Sequence, residues 1–159
     1  MTAPVARVLH RAGDWSGAHD RVTLGYEARF VRRRMLTTDR GERFLVDLAQ
    51  AISLAQGDAF ELADGRLIAV IAAQEPLLEI TAADGAEAAD AARTLARLAW
   101  HVGNRHAPCQ ILPDRLLIAP DHVLREMVET LGGKLREVRA PFTPEGGAYG
   151  HGRTHGHSH

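Results

Sequence analysis

Histidine is the residue type in this sequence with the greatest capacity for chemistry. Nine histidines occur in 159 residues, and four of them fall within the last nine positions. Neutral imidazole nitrogens bind nickel, copper, zinc and cobalt at neutral pH. Their spacing, interrupted by Gly152 and Gly156, predicts a flexible tail that wraps a metal ion reversibly without imposing one geometry. These tail histidines are His151, His155, His157 and His159.

Two other interpretations of the tail remain open from the residues alone. A purification tag would usually be an uninterrupted run of histidines, whereas this segment reads Gly-Arg-Thr-His-Gly-His-Ser-His. An inert polar tail is the second interpretation, because the segment has too few apolar residues to fold by itself. The density of imidazoles favours metal binding over both.

Two further histidines flank the end of the strongest predicted helix. His101 lies on that helix and His106 follows it, so their spacing does not match the i, i+4 pair of a helical metal site. We therefore expect one of the two to bind metal, and we predict His106, because the turn after Gly103 can direct it outward. The alternative for either side chain is stabilisation of the negative end of the helix dipole.

The other candidate ligands carry a weaker signal. His122 lies in the first turn of a second predicted helix, where a metal ligand and a surface histidine are equally compatible with the sequence. Cys109 is the only cysteine, and its apolar neighbours favour packing over a role as a soft ligand. A single thiol excludes an internal disulfide and a thiolate-rich zinc site. We interpret His10 and His19 as ordinary surface residues.

Charge is distributed unevenly along a chain whose formal net charge is only −1. The near-balance argues against a general nucleic-acid-binding protein, which would be clearly basic. Seven arginines and three acidic residues nevertheless fall between positions 21 and 43, including the run Arg32, Arg33 and Arg34. This stretch predicts either a docking surface for an acidic partner or a strand edge that charge protects from pairing.

Several classes of protein lack support in the sequence. There is no glycine-rich phosphate loop, no nucleophile elbow and no His-Glu-x-x-His motif, so we predict a protein that is not an enzyme. No stretch approaches 18 consecutive apolar residues, and the first 15 residues lack the apolar core of a secretory signal. These observations predict a cytoplasmic protein without a membrane span.

The elements that must position these residues suggest an α+β chain with two domains and a tail. Residues 1–73 read as short strands, which predicts a small β-sandwich or barrel-like domain. Within it we expect strands at 24–32, 44–46, 59–62 and 67–71, with Asp64 and Gly65 forming a hairpin turn. Residues 47–54 remain ambiguous and are compatible with a strand-loop-strand. No helix of convincing length is predicted in this domain.

Residues 74–143 show a different pattern, with strands and helices in the order βαββαβ. That order predicts a ferredoxin-like domain. The long helix is expected to stop at Gly103 and Asn104, and Asp121 is the expected N-cap of the second helix. Residues 144–159 are predicted to be the tail. The expected elements are a strand at 77–81, a helix at 86–104, a hairpin at 109–112 and 116–119, a helix at 122–131 and a strand at 134–140.

Taken together, these motifs resemble the UreE family of urease accessory proteins across essentially the whole chain. The resemblance is carried by Gly-Asn-Arg-His at 103–106, Asp-His-Val-Leu at 121–124, Ala-Pro-Phe-Thr-Pro-Glu-Gly-Gly-Ala-Tyr-Gly at 140–150 and the histidine-rich end. Each motif is weak by itself, whereas the combination is specific.

The resemblance implies a nickel metallochaperone that acts in urease maturation as a homodimer, with the C-terminal domains head to head. It implies that His106 from each subunit binds one metal ion at the dimer interface and that the tail histidines complete that site or add others. It also implies a peptide-binding first domain, and the GTPase UreG, UreF, the UreD/UreH protein and apo-urease as partners. Ni²⁺ is the implied cargo, and Zn²⁺ and Cu²⁺ suit the same donors.

Two departures from the family pattern qualify these implications. Some members carry a histidine two positions before the one that matches His122, and Pro120 stands there in this sequence. The tail is also shorter than those with ten or more histidines, which favours nickel delivery over storage. An alternative function is a protein- or peptide-docking module of an assembly complex in which metal binding is incidental.

Overall fold

The structure, a computed structural model, describes residues 2–146. The tail histidines therefore lie outside the described residues. The fold divides into two compact units, of which the first ends at Ala73 and the second begins at Gln74. Within residues 2–146, neither helix has the length and apolar character needed to cross a lipid bilayer.

The first unit is a curled six-stranded sheet, an open half-barrel, in the order β2-β6-β5-β1-β4-β3. Two neighbouring pairs, β1 with β4 and β2 with β6, are parallel, and the remaining pairs are antiparallel. The strands are β1 (Val5–His10), β2 (Asp20–Leu24), β3 (Phe30–Thr37), β4 (Arg43–Ser53), β5 (Ala59–Leu62) and β6 (Leu67–Ala72).

Side chains alternate between a buried and an exposed face along strands of this sheet. In β2, for example, Val22 and Leu24 are buried while Arg21 and Thr23 are exposed, so one face of the strand points inward. The inward residues of the strands form one apolar core, in which the rings of Phe44 and Phe60 meet edge to face at 5.7 Å. The predicted barrel-like β-rich domain is confirmed.

One local prediction for this unit is wrong. The expected strand at 24–32 is interrupted by a 3₁₀ turn, Glu27–Arg29, because the Arg29 N–H donates to the carbonyls of Gly25 and Tyr26 and curls the backbone. The stretch at 47–54, for which the sequence leaves a strand-loop-strand open, belongs to β4 as far as Ser53, and its pairing with β3 shifts register between Asp47 and Ile52. The hairpin around Asp64 and Gly65 is confirmed.

The second unit is a four-stranded antiparallel sheet with two helices, connected as βαββαβ. Its strand order, β10-β7-β9-β8, is the ferredoxin-like arrangement that the sequence predicts. The amphipathic helices bury one face each against the sheet, through residues such as Leu98 and Val128. The elements are β7 (Glu75–Thr81), α1 (Ala88–Asn104), β8 (Cys109–Ile111), β9 (Leu116–Ile118), α2 (His122–Thr130) and β10 (Lys134–Ala140).

The start of α2 depends on one side chain. The Asp121 carboxylate accepts hydrogen bonds from the Val123 N–H at 2.8 Å and the Leu124 N–H at 3.0 Å. These are two of the backbone donors that the first turn of a helix leaves without a partner in the helix. Asp121 is therefore the N-cap, as predicted.

Replacing this cap should destabilise the second unit. We expect Asp121→Ala to lower the free energy of unfolding by about 1 kcal/mol. Asp121→Asn should retain most of the wild-type stability, because the amide oxygen still accepts the hydrogen bonds of the cap. Urea denaturation followed by helical circular dichroism measures this, since both described helices lie in this unit. Asp114→Ala, which removes an exposed aspartate paired with Arg115, is the matched control and should change stability by less than about 0.5 kcal/mol. Equal effects of the two alanine variants would contradict the capping role.

Candidate metal centre

His106 stands at a special position of the backbone, just beyond the last turn of α1. Its φ is +58°, and it is the only non-glycine residue with a positive φ among residues 2–146. Its N–H donates to the Gly103 carbonyl at 2.9 Å, and the Ala107 N–H donates to the Val102 carbonyl at 3.3 Å. This pair of bonds is the Schellman motif, in which a left-handed residue, usually glycine, ends a helix.

Helix α1 ends at Asn104, as predicted. The residue that reverses the chain after it is not the glycine that the sequence favours. Gly103 is not in the left-handed conformation, and the residue that reverses the chain is His106. Histidine is one of the few residue types enriched at such positions, although glycine is less strained there.

The reversal places the His106 side chain in a shallow surface pocket of about 210 Å³. His106 itself is exposed to solvent. One wall comes from α1, another from the strand β8, and a third from the segment that follows β10. The lining residues are Ala99, Gly103, His106, Ala107, Pro108, Cys109, Ile111, Glu145 and Gly146.

Glu145 brings the end of the described chain to this pocket. Its N–H donates to the Cys109 carbonyl at 2.9 Å, which ties residue 145 to the strand that follows His106. Gly146, the last described residue, lines the same pocket. The chain thus leads into the tail histidines from beside His106.

The other histidines of this unit lie in different surroundings. His101 is half-buried in the last turn of α1, and its ring meets the Trp100 ring edge to face at 5.0 Å. His122 is the exposed first residue of α2 and does not line the His106 pocket. Of the sequence candidates within residues 2–146, His106 and Cys109 share a pocket, whereas His101 and His122 do not join them.

Cys109 is the first residue of β8, half-buried against the core of the second unit. Burial, together with the negative charge of Glu145, raises the pKa of its thiol to about 11. A thiol must lose its proton to become a nucleophile or a metal ligand. Cys109 therefore stays protonated at neutral pH, which is consistent with its predicted packing role.

The described residues of a single chain do not complete a metal site. Within residues 2–146, no group of three or more histidine, cysteine, aspartate or glutamate side chains is placed to hold a metal ion. A site at His106 consequently needs donors from elsewhere, such as a second copy of the chain or residues beyond Gly146. Two large apolar side chains of the second unit are exposed: Ile111, in the pocket, is 52% exposed, and Trp100, on α1, is 64% exposed.

The arginine run of the first unit occupies a sheet edge. β3 is the outermost strand, and Arg32, Arg33 and Arg34 are all exposed. Arg33 lies 3.7 Å from the carboxylate of Asp47, whereas Arg32 and Arg34 form no ion pair with any residue in the described range. His10 and His19, interpreted from the sequence as surface residues, lie within 4 Å of the carboxylates of Glu61 and Glu42, respectively.

Two residues of the pocket, Ile111 and Glu145, are not among the site residues that the sequence predicts. The sequence places Ile111 in a hairpin strand and Glu145 in the tail. A short apolar strand directly after the His106 turn is a signal that could have identified Ile111, since such a strand keeps residues 106 and 111 close together. Glu145 has no local signal, because it reaches the pocket through its hydrogen bond to Cys109, 36 positions earlier in the chain.

The backbone at His106 yields a test that separates its imidazole from its structural role. We expect His106→Gly to raise the free energy of unfolding by about 1 kcal/mol, because glycine adopts the left-handed conformation without strain. Ala96→Gly, at an exposed interior position of α1, is the matched control and should lower stability by about 1 kcal/mol. Urea denaturation measures both, and destabilisation by His106→Gly would contradict the strain assigned to this residue.

Comparisons with known proteins cover both units. The family models described as the N-terminal domain and the C-terminal domain of the UreE urease accessory protein match residues 4–73 and 75–159, respectively. The urease accessory protein UreE of Ruegeria pomeroyi is 58% identical over 159 residues, all of each chain. The UreE protein of Cereibacter sphaeroides is 53% identical over 98% of this chain and 80% of its own length. The UreE protein of Rhodobacter capsulatus is 53% identical over 97% of this chain and 91% of its own length. The chain therefore belongs to the UreE family of urease accessory proteins, and its role lies in urease maturation.

Proposed function

We propose that this protein is a nickel metallochaperone that binds Ni²⁺ and delivers it to the urease active site during maturation. In this proposal it acts as a carrier and not as an enzyme. The observation that carries the proposal is the exposed His106 imidazole, held by a strained backbone turn in the pocket from which the chain leads into its tail histidines. Backbone strain of this kind is typical of functional positions.

The first ligands in this proposal are two copies of His106, one from each subunit of a homodimer. A twofold axis near His106 would bring two imidazoles together without a second ligand in the same chain. The exposed apolar side chains of Ile111 and Trp100 support a subunit interface in this region. This arrangement accounts for the incomplete ligand set of a single described chain.

The tail histidines, His151, His155, His157 and His159, supply the remaining ligands. His151 lies five positions after Gly146, so an extended chain between them reaches at most about 17 Å, and Gly146 already lines the pocket. The two His106 imidazoles, one from each subunit, leave coordination positions on the nickel ion open for the tail histidines. Nickel held by exchangeable imidazoles can be passed to another protein by stepwise ligand replacement, unlike a metal in a rigid four-ligand structural site.

Nickel as the cargo is supported by family membership, because nitrogen ligands by themselves prefer Cu²⁺ over Ni²⁺. Zn²⁺ and Cu²⁺ are accordingly expected to bind the same site in solution. We propose the cytoplasm as the compartment, and UreG as the receiving protein within a complex with UreF, UreD (UreH) and apo-urease.

Calorimetric titration with Ni²⁺ tests the proposed ligands. The wild-type dimer should show a tight event of one nickel ion per two chains, and His106→Gly should abolish it because both first ligands are lost. Truncation after Gly150 should weaken nickel binding roughly tenfold or more, because tethered ligands act at a high effective concentration.

The controls separate ligand loss from damage to the fold. His106→Gly is expected to be at least as stable as the wild type. Loss of the tight nickel-binding event in this variant would therefore result from removal of the imidazole and not from unfolding. His122→Ala should retain the tight event, because His122 does not line the pocket, although we keep it as a candidate for a separate, weaker site. Tight binding by His106→Gly equal to that of the wild type would refute the interface site.

A second candidate function, docking of a protein partner through the first unit, is favoured by the β3 edge. Arg32 and Arg34 carry charges that no carboxylate in residues 2–146 pairs with. An outermost strand can also pair with an extended segment of another chain. The edge therefore suits an acidic segment of a partner protein, and metal binding would be incidental to this function.

Charge reversal distinguishes the two functions. If docking is the working function, Arg32→Glu together with Arg34→Glu should abolish urease maturation while nickel titration stays unchanged, because like charges repel an acidic partner. Arg97→Glu, at an exposed position of α1 in the second unit, is the control and should leave maturation largely intact. Normal maturation by the double variant would argue against docking at β3.

A further inference from the structure

We propose that residues 141–146 form a strap that positions the tail histidines at His106, and that the Gln110 side chain is its fastening point. This inference rests on the proposed nickel function and assigns positioning roles to residues that do not bind the metal. It follows from where the strap begins and ends on the sheet of the second unit.

The strap connects the two opposite edges of this sheet. β10, which ends at Ala140, is the outermost strand on one side, and β8, which contains Cys109, is the outermost strand on the other. Three strand spacings separate them, a distance of about 14 Å. A tail released at Ala140 would therefore start on the far side of the sheet from His106. The strap carries that starting point across the sheet.

The middle of the strap is anchored by one aromatic side chain. Phe142 is only 2% exposed, in a segment that has neither helical nor strand structure. Burial of a phenylalanine side chain contributes about 2 kcal/mol or more. Pro141 and Pro144, on either side of it, have a fixed φ, which restricts the directions that the segment can take.

The far end of the strap is fastened to β8 by two hydrogen bonds. The Thr143 N–H donates to the Gln110 side-chain oxygen, Oε1, at 3.0 Å, and the Glu145 N–H donates to the Cys109 carbonyl at 2.9 Å. The strap thereby covers polar groups on an edge strand. Only the first bond depends on a side chain, so it can be removed by substitution without altering the backbone of β8.

The functional consequence of the strap is a shorter tether. With the strap fastened, the free chain begins after Gly146, in the pocket that contains His106. With the strap released, several more residues join the free chain. A longer tether lowers the effective concentration of the tail imidazoles at the His106 site, and nickel affinity falls with it.

The experiment compares Gln110→Met with Gln110→Glu in the full-length dimer and in the chain truncated after Gly150. Methionine has nearly the same length as glutamine but lacks a strong acceptor, whereas glutamate keeps an acceptor oxygen. We expect Gln110→Met to weaken nickel binding of the full-length protein by roughly 3- to 10-fold, as expected for one lost hydrogen bond. Gln110→Glu should bind nickel within about twofold of the wild type. In the truncated chain, which lacks the tail histidines, Gln110→Met should have no effect.

A second readout needs no metal. Amide hydrogen exchange at Thr143 and Glu145 should be slow in the wild type and faster in Gln110→Met, with Gln110→Glu resembling the wild type. Faster exchange together with wild-type nickel affinity would overturn the strap proposal, and so would an equal loss of affinity in full-length and truncated chains. Unprotected amides in the wild type would also overturn it. Failure of the wild type to bind nickel tightly would instead overturn the proposed function.

Discussion

The left-handed backbone at His106 is the constraint on which the second unit's candidate metal centre depends. Helix α1 must end and the chain must turn back into β8, and the Schellman hydrogen bonds at Gly103 and Val102 accomplish both within a few residues. The reversal also turns one side chain out of the fold. Histidine at that position means that the strained residue and the metal-binding candidate are the same residue. The position of the imidazole is therefore determined by the end of a well-packed helix and not by a mobile loop.

The parts of the structure that could be predicted are those that depend on local pattern. The 3.6-residue spacing of apolar side chains identified α1 and α2, and Asp121 identified the start of α2 by its capping chemistry. The hairpin of β5 and β6 followed from Asp64 and Gly65. In each case the residues that determine the element lie within a few positions of it, so a single sequence contains the necessary information.

The parts that could not be predicted depend on partners distant in sequence. The break at Glu27–Arg29 is accompanied by a hydrogen bond from the Leu54 N–H to the Arg29 carbonyl, 25 positions away. The path of residues 141–146 depends on β8, and the sequence there consists of two prolines, one glycine, one phenylalanine and two polar residues. A motif rich in proline and glycine indicates a restricted backbone but does not indicate which surface that backbone follows. The left-handed residue after α1 was not predicted for a different reason, because glycine is the usual residue at the position that His106 occupies.

The raised pKa of Cys109 has a consequence for the chemistry of the neighbouring pocket. The only thiol of the chain lies in the same pocket as His106, but burial and the charge of Glu145 keep it protonated. Coordination by this sulfur would require expulsion of a proton that the surroundings favour retaining. Thiolate ligands bind soft metals such as Cu(I) tightly, and a pocket with a neutral thiol lacks such a ligand. The pocket beside His106 therefore presents a neutral thiol and not a thiolate at neutral pH.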